Sequence, residues 1–253
     1  GVTGPPGAGK STLINALIRN ISAEGKRTGI IAIDPTSPFN YGSLLGDRLR
    51  MAEHFNDENV FIRSLATRGS LGGLSAKTIE VLDVMRSFNF DYLIVETVGV
   101  GQSEVEIVGL ADTTVLVLVP EAGDDVQSIK SGVMEIADIF VVNKSDRDGA
   151  ATFMKNIVQL VHSKPHSGWS IPVLKAVASK NEGVVELYSA INAHHATAVN
   201  TKRSYLLAEK AYRLIQNERM KGITKQELKI NLEAEMGKPD FNLYRFVRSV
   251  NHS

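Results

Sequence analysis

Nine residues near the amino terminus, GPPGAGKST (Gly4–Thr12), restrict the fold of this chain more than any other stretch. Four residues separate Gly4 from Gly9, and Lys10 and Ser11 follow Gly9 at once, the spacing of a phosphate-binding P-loop. Such a loop works only between a strand and a helix. The glycines let backbone N–H groups turn inward around a phosphate, and the helix adds its positive amino-terminal end. Gly4, Pro5, Pro6, Gly7, Ala8, Gly9, Lys10, Ser11 and Thr12 are therefore the expected phosphate cradle. Lys10 is placed to reach the β- and γ-phosphates, and the Ser11 hydroxyl to ligate Mg²⁺. Only Gly1–Thr3 remains to form the preceding strand, so a further segment upstream is expected.

The rest of the chain repeats that alternation. Short apolar, β-branched runs read as strands: Thr28–Asp34, Asn59–Ser64, Tyr92–Glu96, Thr113–Val119, Ile139–Asn143 and Pro172–Val177. Several are continuous rather than alternating, as expected when helices cover both faces of a parallel sheet. Helical patterns lie between them at Ser11–Glu24, Ser75–Ser87, Ser128–Ile136, Ala150–Ser163 and Val184–His195. The expectation is an α/β fold, a doubly wound, mostly parallel sheet, with ligand-binding loops at the carboxyl ends of the strands. After about residue 198 no strand is evident. Residues 1–198 are read as the nucleotide domain and 199–253 as a helical extension, either packed on its own sheet or serving as a dimerisation arm. Within the extension, Thr224 followed three residues later by Glu227 has the form of a capping box.

Bulk composition excludes several classes. There are 28 basic and 28 acidic residues, so no charged field points to a nucleic acid or membrane partner. Cysteine is absent, which removes disulfides, thiolate metal sites and thiol catalysis. That usage fits a reducing, cytoplasmic setting. No apolar run approaches the length of a membrane span.

The base is read from VVNKSD (Val141–Asp146), which follows a buried strand. In Asn143-Lys144-x-Asp146, the carboxylate can accept from both N1–H and the 2-amino group of guanine. Adenine has no matching donor pair and would leave the acid unpaired. The Lys144 stem can cover the base, and Asn143 can brace neighbouring loops. A further contact is expected from the turn Val177-Ala178-Ser179, with Ala178 supplying a backbone N–H. Val177 occupies the place where serine is usual and has no hydroxyl to brace the turn. The implied ligands are GTP and GDP.

Acids at the strand ends complete the set. Asp34 closes the second strand, Asp47 lies in the stretch after it, and Glu96 closes the fourth. Hard oxygens near the phosphate loop suit Mg²⁺, which retains waters and takes few direct carboxylates. Some of the three are expected to act through water. Lys10, Glu96 and Asp47 are the candidate catalytic groups. In TVGVGQSE after Glu96, Gly99 is a candidate γ-phosphate contact through its N–H, and Gln102 a weaker candidate for orienting water. Arg48, Arg50 and Arg68 are candidate stabilising cations.

Taken in order, GPPGAGKST, DPTSPF, GSLLGDRLRM, TRGSLGG, ETVGVGQSE, PEAGDDVQSIKSG and NKSD resemble the methylmalonyl-CoA mutase-associated GTPases of the MeaB/ArgK type, from Gly1 to about Ala196. The resemblance implies a GTPase metallochaperone that gates adenosylcobalamin delivery to an acyl-CoA mutase. It further implies a homodimer and three switch loops, the third at PEAGDDVQSIK. Rival readings are a nickel- or cobalt-delivery GTPase, the G domain of a fused acyl-CoA mutase, a nucleotide-dependent assembly module that does not hydrolyse, and a small-molecule kinase.

Overall fold

The computed structural model describes residues 1–34, 51–66, 76–97, 107, 110–122, 137–162, 168–197, 208, 211–212, 214–216 and 218–250. The expected helix at Ser128–Ile136 lies outside them. Seven strands form one sheet: β1 (Val2–Thr3), β2 (Thr28–Asp34), β3 (Val60–Ala66), β4 (Tyr92–Thr97), β5 (Val115–Leu118), β6 (Ile139–Val142) and β7 (Val173–Lys175). Their order is β3-β2-β4-β1-β5-β6-β7, and every pairing is parallel. The chain winds outward from central β1 in both directions. In sheets of this order, ligands bind at the carboxyl ends on either side of that reversal.

Among the described residues, four helices belong to the sheet unit: α1 (Lys10–Ala23), α2 (Ala76–Arg86), α3 (Ala150–His162) and α4 (Val184–Thr197). The interior explains both the continuous strand runs and the helix spacing. On one face Ile30, Ile94, Val117 and Val141 meet Leu13, Leu17, Ile18 and Ile21 of α1 and Val184 and Leu187 of α4. On the other, Leu116, Leu118, Phe140 and Val142 meet Phe153, Ile157 and Val161 of α3, which recur every four residues. Ile31, Ile33 and Val95 pack with Leu82 and Met85 of α2. Sequence neighbours such as Ile30 and Ile31 point to opposite faces, and both are fully buried. Each such isoleucine stabilises the fold by about 1.5–3 kcal/mol.

The described chain divides into two compact units, Gly1–Lys210 and Ala211–Ser253. The second contains α5 (Lys225–Met236) and α6 (Leu243–Val250). The capping box forms as expected. Thr224 Oγ1 accepts from Glu227 N–H at 3.1 Å, and Thr224 N–H donates to Glu227 Oε2 at 3.3 Å. Neither helix has a buried residue.

Phe140 is the largest side chain sealed between β6 and α3. Phe140→Ala is expected to lower unfolding free energy by about 3–5 kcal/mol in a urea titration without nucleotide. A loss under about 1 kcal/mol would contradict this packing.

Candidate functional site

The phosphate loop joins β1 to α1, and its backbone is shaped by what surrounds it. Gly4 has φ 142°, and a Cβ there would overlap the Val117 carbonyl oxygen. Gly9 has φ 83°, and a Cβ there would lie 2.5 Å from Asn143 Nδ2. A larger residue at Gly4 would collide with the backbone of β5, and one at Gly9 with the buried Asn143 amide. Lys10 is buried, and its Nζ donates to the carbonyls of Gly4 at 2.7 Å and Pro5 at 3.0 Å. Ala8 N–H closes the turn onto Pro5 O at 3.2 Å. Gly9 enters α1 without a side-chain cap, and the first turn of the helix carries no acid. The helix's own side chains thus leave its positive end unneutralised, the arrangement that favours an anion. Pro6, Gly7 and Thr12 are exposed around the mouth of the loop.

Glu96 stands next to this helix end. It is buried near the end of β4, and Ser11 Oγ donates to its Oε1 at 2.7 Å. Beside it, Thr97 Oγ1 donates to Thr3 Oγ1 at 2.9 Å, fastening β4 to β1 beneath the loop. Asp34 closes β2 two strands from β1, but its side chain lies outside the described residues. Asp47, Gly99, Gln102, Arg48, Arg50 and Arg68 lie outside them entirely.

The candidate base-reading residues follow β6 and β7. Asn143 is 2% exposed and bridges two loops: its Nδ2 donates to Ala8 O at 2.8 Å, and its Oδ1 accepts from Ala178 N–H at 3.1 Å. The Ala178 N–H expected to face the base is thus engaged with Asn143 here. Lys144 adopts φ 55°, and its Nζ donates to Gly7 O at 2.7 Å, so its stem crosses toward the phosphate loop. Ser145 N–H donates to Ala176 O at 3.0 Å, joining the base loop to the end of β7. Asp146 accepts from Lys180 Nζ at 2.9 Å. That bond, with help from its own backbone N–H and the charges of Lys180 and Arg147, holds the Asp146 carboxyl below its ordinary value. Val177 is buried, whereas Ser179 is exposed on the turn.

A parallel sheet with a glycine-shaped phosphate loop, a carboxylate on its serine and an Asn-Lys-x-Asp loop beside it defines a P-loop GTPase. A family model described as methylmalonyl Co-A mutase-associated GTPase MeaB matches residues 1–235. A GTPase-named protein of Pyrococcus abyssi is 50% identical over 245 residues, covering 95% of this chain and 74% of that protein. GTPase ArgK of Escherichia coli is 34% identical over 249 residues, covering 96% and 73% respectively. The mouse methylmalonic aciduria type A homolog, mitochondrial, is 37% identical over 196 residues, which are 76% of this chain and 47% of that protein. Among solved structures, hydrogenase maturation factor HypB from Archaeoglobus fulgidus superposes with a TM-score of 0.54 at 19% identity. That match covers 76% of this chain and 88% of HypB and reports on the fold. The chain belongs to the MeaB family and is a GTPase of that family.

Three residues of the site escaped the sequence reading. Lys180 binds Asp146, and Arg147 forms an ion pair with Glu121 in the short 3-10 turn Pro120–Ala122. The Arg147 guanidinium, hydrogen-bonded to it, holds Glu121 below the usual carboxylate range. Only the adjacency of Arg147 to Asp146 could have signalled either contact.

Asn143→Ala would leave the Ala8 carbonyl and the Ala178 N–H without their partner in a buried place. The expected cost is about 2–4 kcal/mol of stability in nucleotide-free protein, read by urea unfolding. An unchanged midpoint would show that Asn143 does not hold these loops together.

Proposed function

We propose that this GTPase uses GTP binding and hydrolysis to gate the loading of adenosylcobalamin into an acyl-CoA mutase and to protect the loaded enzyme. The observation that carries the reading is the Arg147–Glu121 ion pair. It links the residue after Asp146, the candidate guanine reader, to the turn Pro120–Ala122 that opens PEAGDDVQSIK, the third switch loop implied by the family resemblance. A change of nucleotide at the base and phosphate loops would thereby reach the Pro120–Ala122 turn at the head of that loop. Support for the partner's identity comes from the family name, mutase-associated, and from the mouse relative named for methylmalonic aciduria.

In this reading Gly4–Thr12 encloses the phosphates, and Lys10 exchanges its carbonyl contacts for phosphate oxygens. Asp146 accepts the guanine edge. The Ser11 hydroxyl and the Glu96 carboxylate are paired hard oxygens beside the helix end, a donor set suited to Mg²⁺. The ion, when bound, neutralises developing phosphate charge. Glu96 orients the Ser11 oxygen, and Asp34 and Asp47 are proposed to act from the neighbouring loops. Water attacks the γ-phosphoryl group, giving GDP and phosphate, and the mutase accelerates a slow intrinsic step. The second unit carries exposed Ile230, Met236, Leu243, Tyr244 and Val247, which supports self-association as a homodimer.

Single-turnover GTP hydrolysis should rise by about tenfold or more on adding a cobalamin-dependent methylmalonyl-CoA mutase. The mutase should also be retained by immobilised protein loaded with a non-hydrolysable GTP analogue. Lys10→Ala should lower turnover by about a hundredfold with or without the mutase. A rate indifferent to the mutase, together with no retention, would overturn the gating role and leave the GTPase intact.

A further inference from the structure

Guanine selection by Asp146 depends on how its carboxylate is held, and the residue that holds it lies outside the Asn-Lys-x-Asp pattern. Val177 stands where a serine hydroxyl would brace the base loop, and it has no hydroxyl. Its backbone is engaged in its own turn. Val177 N–H donates to Glu182 O at 3.0 Å, and its carbonyl accepts from Lys180 N–H at 2.8 Å. Lys180 ends the 3-10 turn Ala178–Lys180, and Asn181 at φ 59° reverses the chain behind it. This turn is joined to the base loop by Ala178 N–H on Asn143 Oδ1 and by Ser145 N–H on Ala176 O. From that fixed position Lys180 Nζ reaches Asp146 Oδ2 at 2.9 Å.

We propose that Lys180 is the positioning residue for guanine recognition: its ammonium, bonded to one oxygen of Asp146, fixes the carboxylate so that both oxygens meet the base edge. The proposal rests on the assignment of Asp146 to guanine made above. Lys180 does not compete with the base. A carboxylate offers about four lone-pair sites; guanine N1–H and the 2-amino group use two, and the ammonium one. Arg147 cannot take its place, because its guanidinium is paired with Glu121. In water the Lys180–Asp146 pair contributes little, since its side chains are 56% and 42% exposed. A base that covers the carboxylate removes water from the pair and strengthens the attraction. The effect of Lys180 therefore falls on base binding and not on the stability of the empty protein. A lowered Asp146 pKa, with Lys180 as its leading cause, agrees with this arrangement.

Inosine diphosphate (IDP) lacks only the 2-amino group, so it reports the second half of the two-point contact. GDP and IDP affinities are to be measured by calorimetric titration for the unchanged chain and for K180A, K180R and D146N. K180A is expected to lose about fivefold in GDP affinity but less than about twofold for IDP. K180R should return GDP affinity to within about twofold, since a guanidinium also donates to the carboxylate. The melting temperature without nucleotide should not move in K180A. Equal losses for both nucleotides, or no loss for either, would overturn the positioning role. D146N that collapses the GDP-to-IDP ratio while K180A leaves it intact would overturn Lys180 alone. If D146N leaves the ratio intact, the base assignment fails, and the role of Lys180 with it.

Discussion

The side chain of Asn143 is where three loops of this protein become one surface. Its amide is buried, donates to the phosphate loop at Ala8 and accepts from the β7 turn at Ala178. An amide so deeply placed costs free energy unless both its ends are satisfied, and here both are. The same side chain explains a glycine far away in sequence: a Cβ on Gly9 would lie 2.5 Å from Asn143 Nδ2. The last glycine of the phosphate motif and the asparagine of the base motif are thus one packing constraint seen from two sides. Two short motifs, each common enough alone, are tied by this contact into a single nucleotide site.

Charge at the carboxyl edge of the sheet follows a similar logic. Lys10 and Glu96 are both buried near the amino end of α1. An ion in such a place needs polar partners, and the fold supplies them locally: two loop carbonyls for Lys10 and the Ser11 hydroxyl for Glu96. These contacts are made by groups that a triphosphate and its metal would also seek. The helix end has no capping side chain and no first-turn acid, so its electrostatic preference for an anion is left uncompensated by the helix itself. Burial that would be unfavourable in a purely structural core becomes intelligible as preparation for a charged ligand.

What could be read in the sequence was what local pattern dictates. Thr28–Asp34 is a strand with the bounds its apolar run suggested, because a parallel sheet covered on both faces demands continuous β-branched residues. Thr224 and Glu227 cap α5 because a capping box is complete within four residues. Elsewhere boundaries moved by a few residues: β5 is limited to Val115–Leu118, while β3 continues to Ala66. The placement of candidate site residues was legible wherever a motif fixes spacing, as at Lys10, Ser11 and Asn143. It was not legible where partners come from separate loops. Lys180 lies 34 residues from Asp146 and Glu121 lies 26 from Arg147, and no periodicity links them. The Ala178 N–H shows the same limit. Its residue was identified, but its partner in this structure is set by the Asn143 rotamer, which only the assembled loops determine.

The three cations around the base loop each take a different partner. Lys144 reaches the phosphate loop at Gly7, Lys180 reaches Asp146 from the β7 turn, and Arg147 reaches Glu121 after β5. Individually these are exposed contacts, which contribute little to the stability of a folded chain. Their value lies in geometry. A ligand seated between the phosphate and base loops must adjust to Lys144 and Asp146 together, and Asp146 is covalently next to Ser145 and Arg147. In the proposed gating, a displacement of that short loop would reach the Glu121 turn through Arg147 and the β7 turn through Lys180. Weak pairs suit such coupling better than buried ones. A buried pair resists rearrangement by several kcal/mol, whereas an exposed pair changes strength with each change in its solvation. On the proposed function, ligand occupancy would alter that solvation and so bias the connected loops through contacts too weak to lock them.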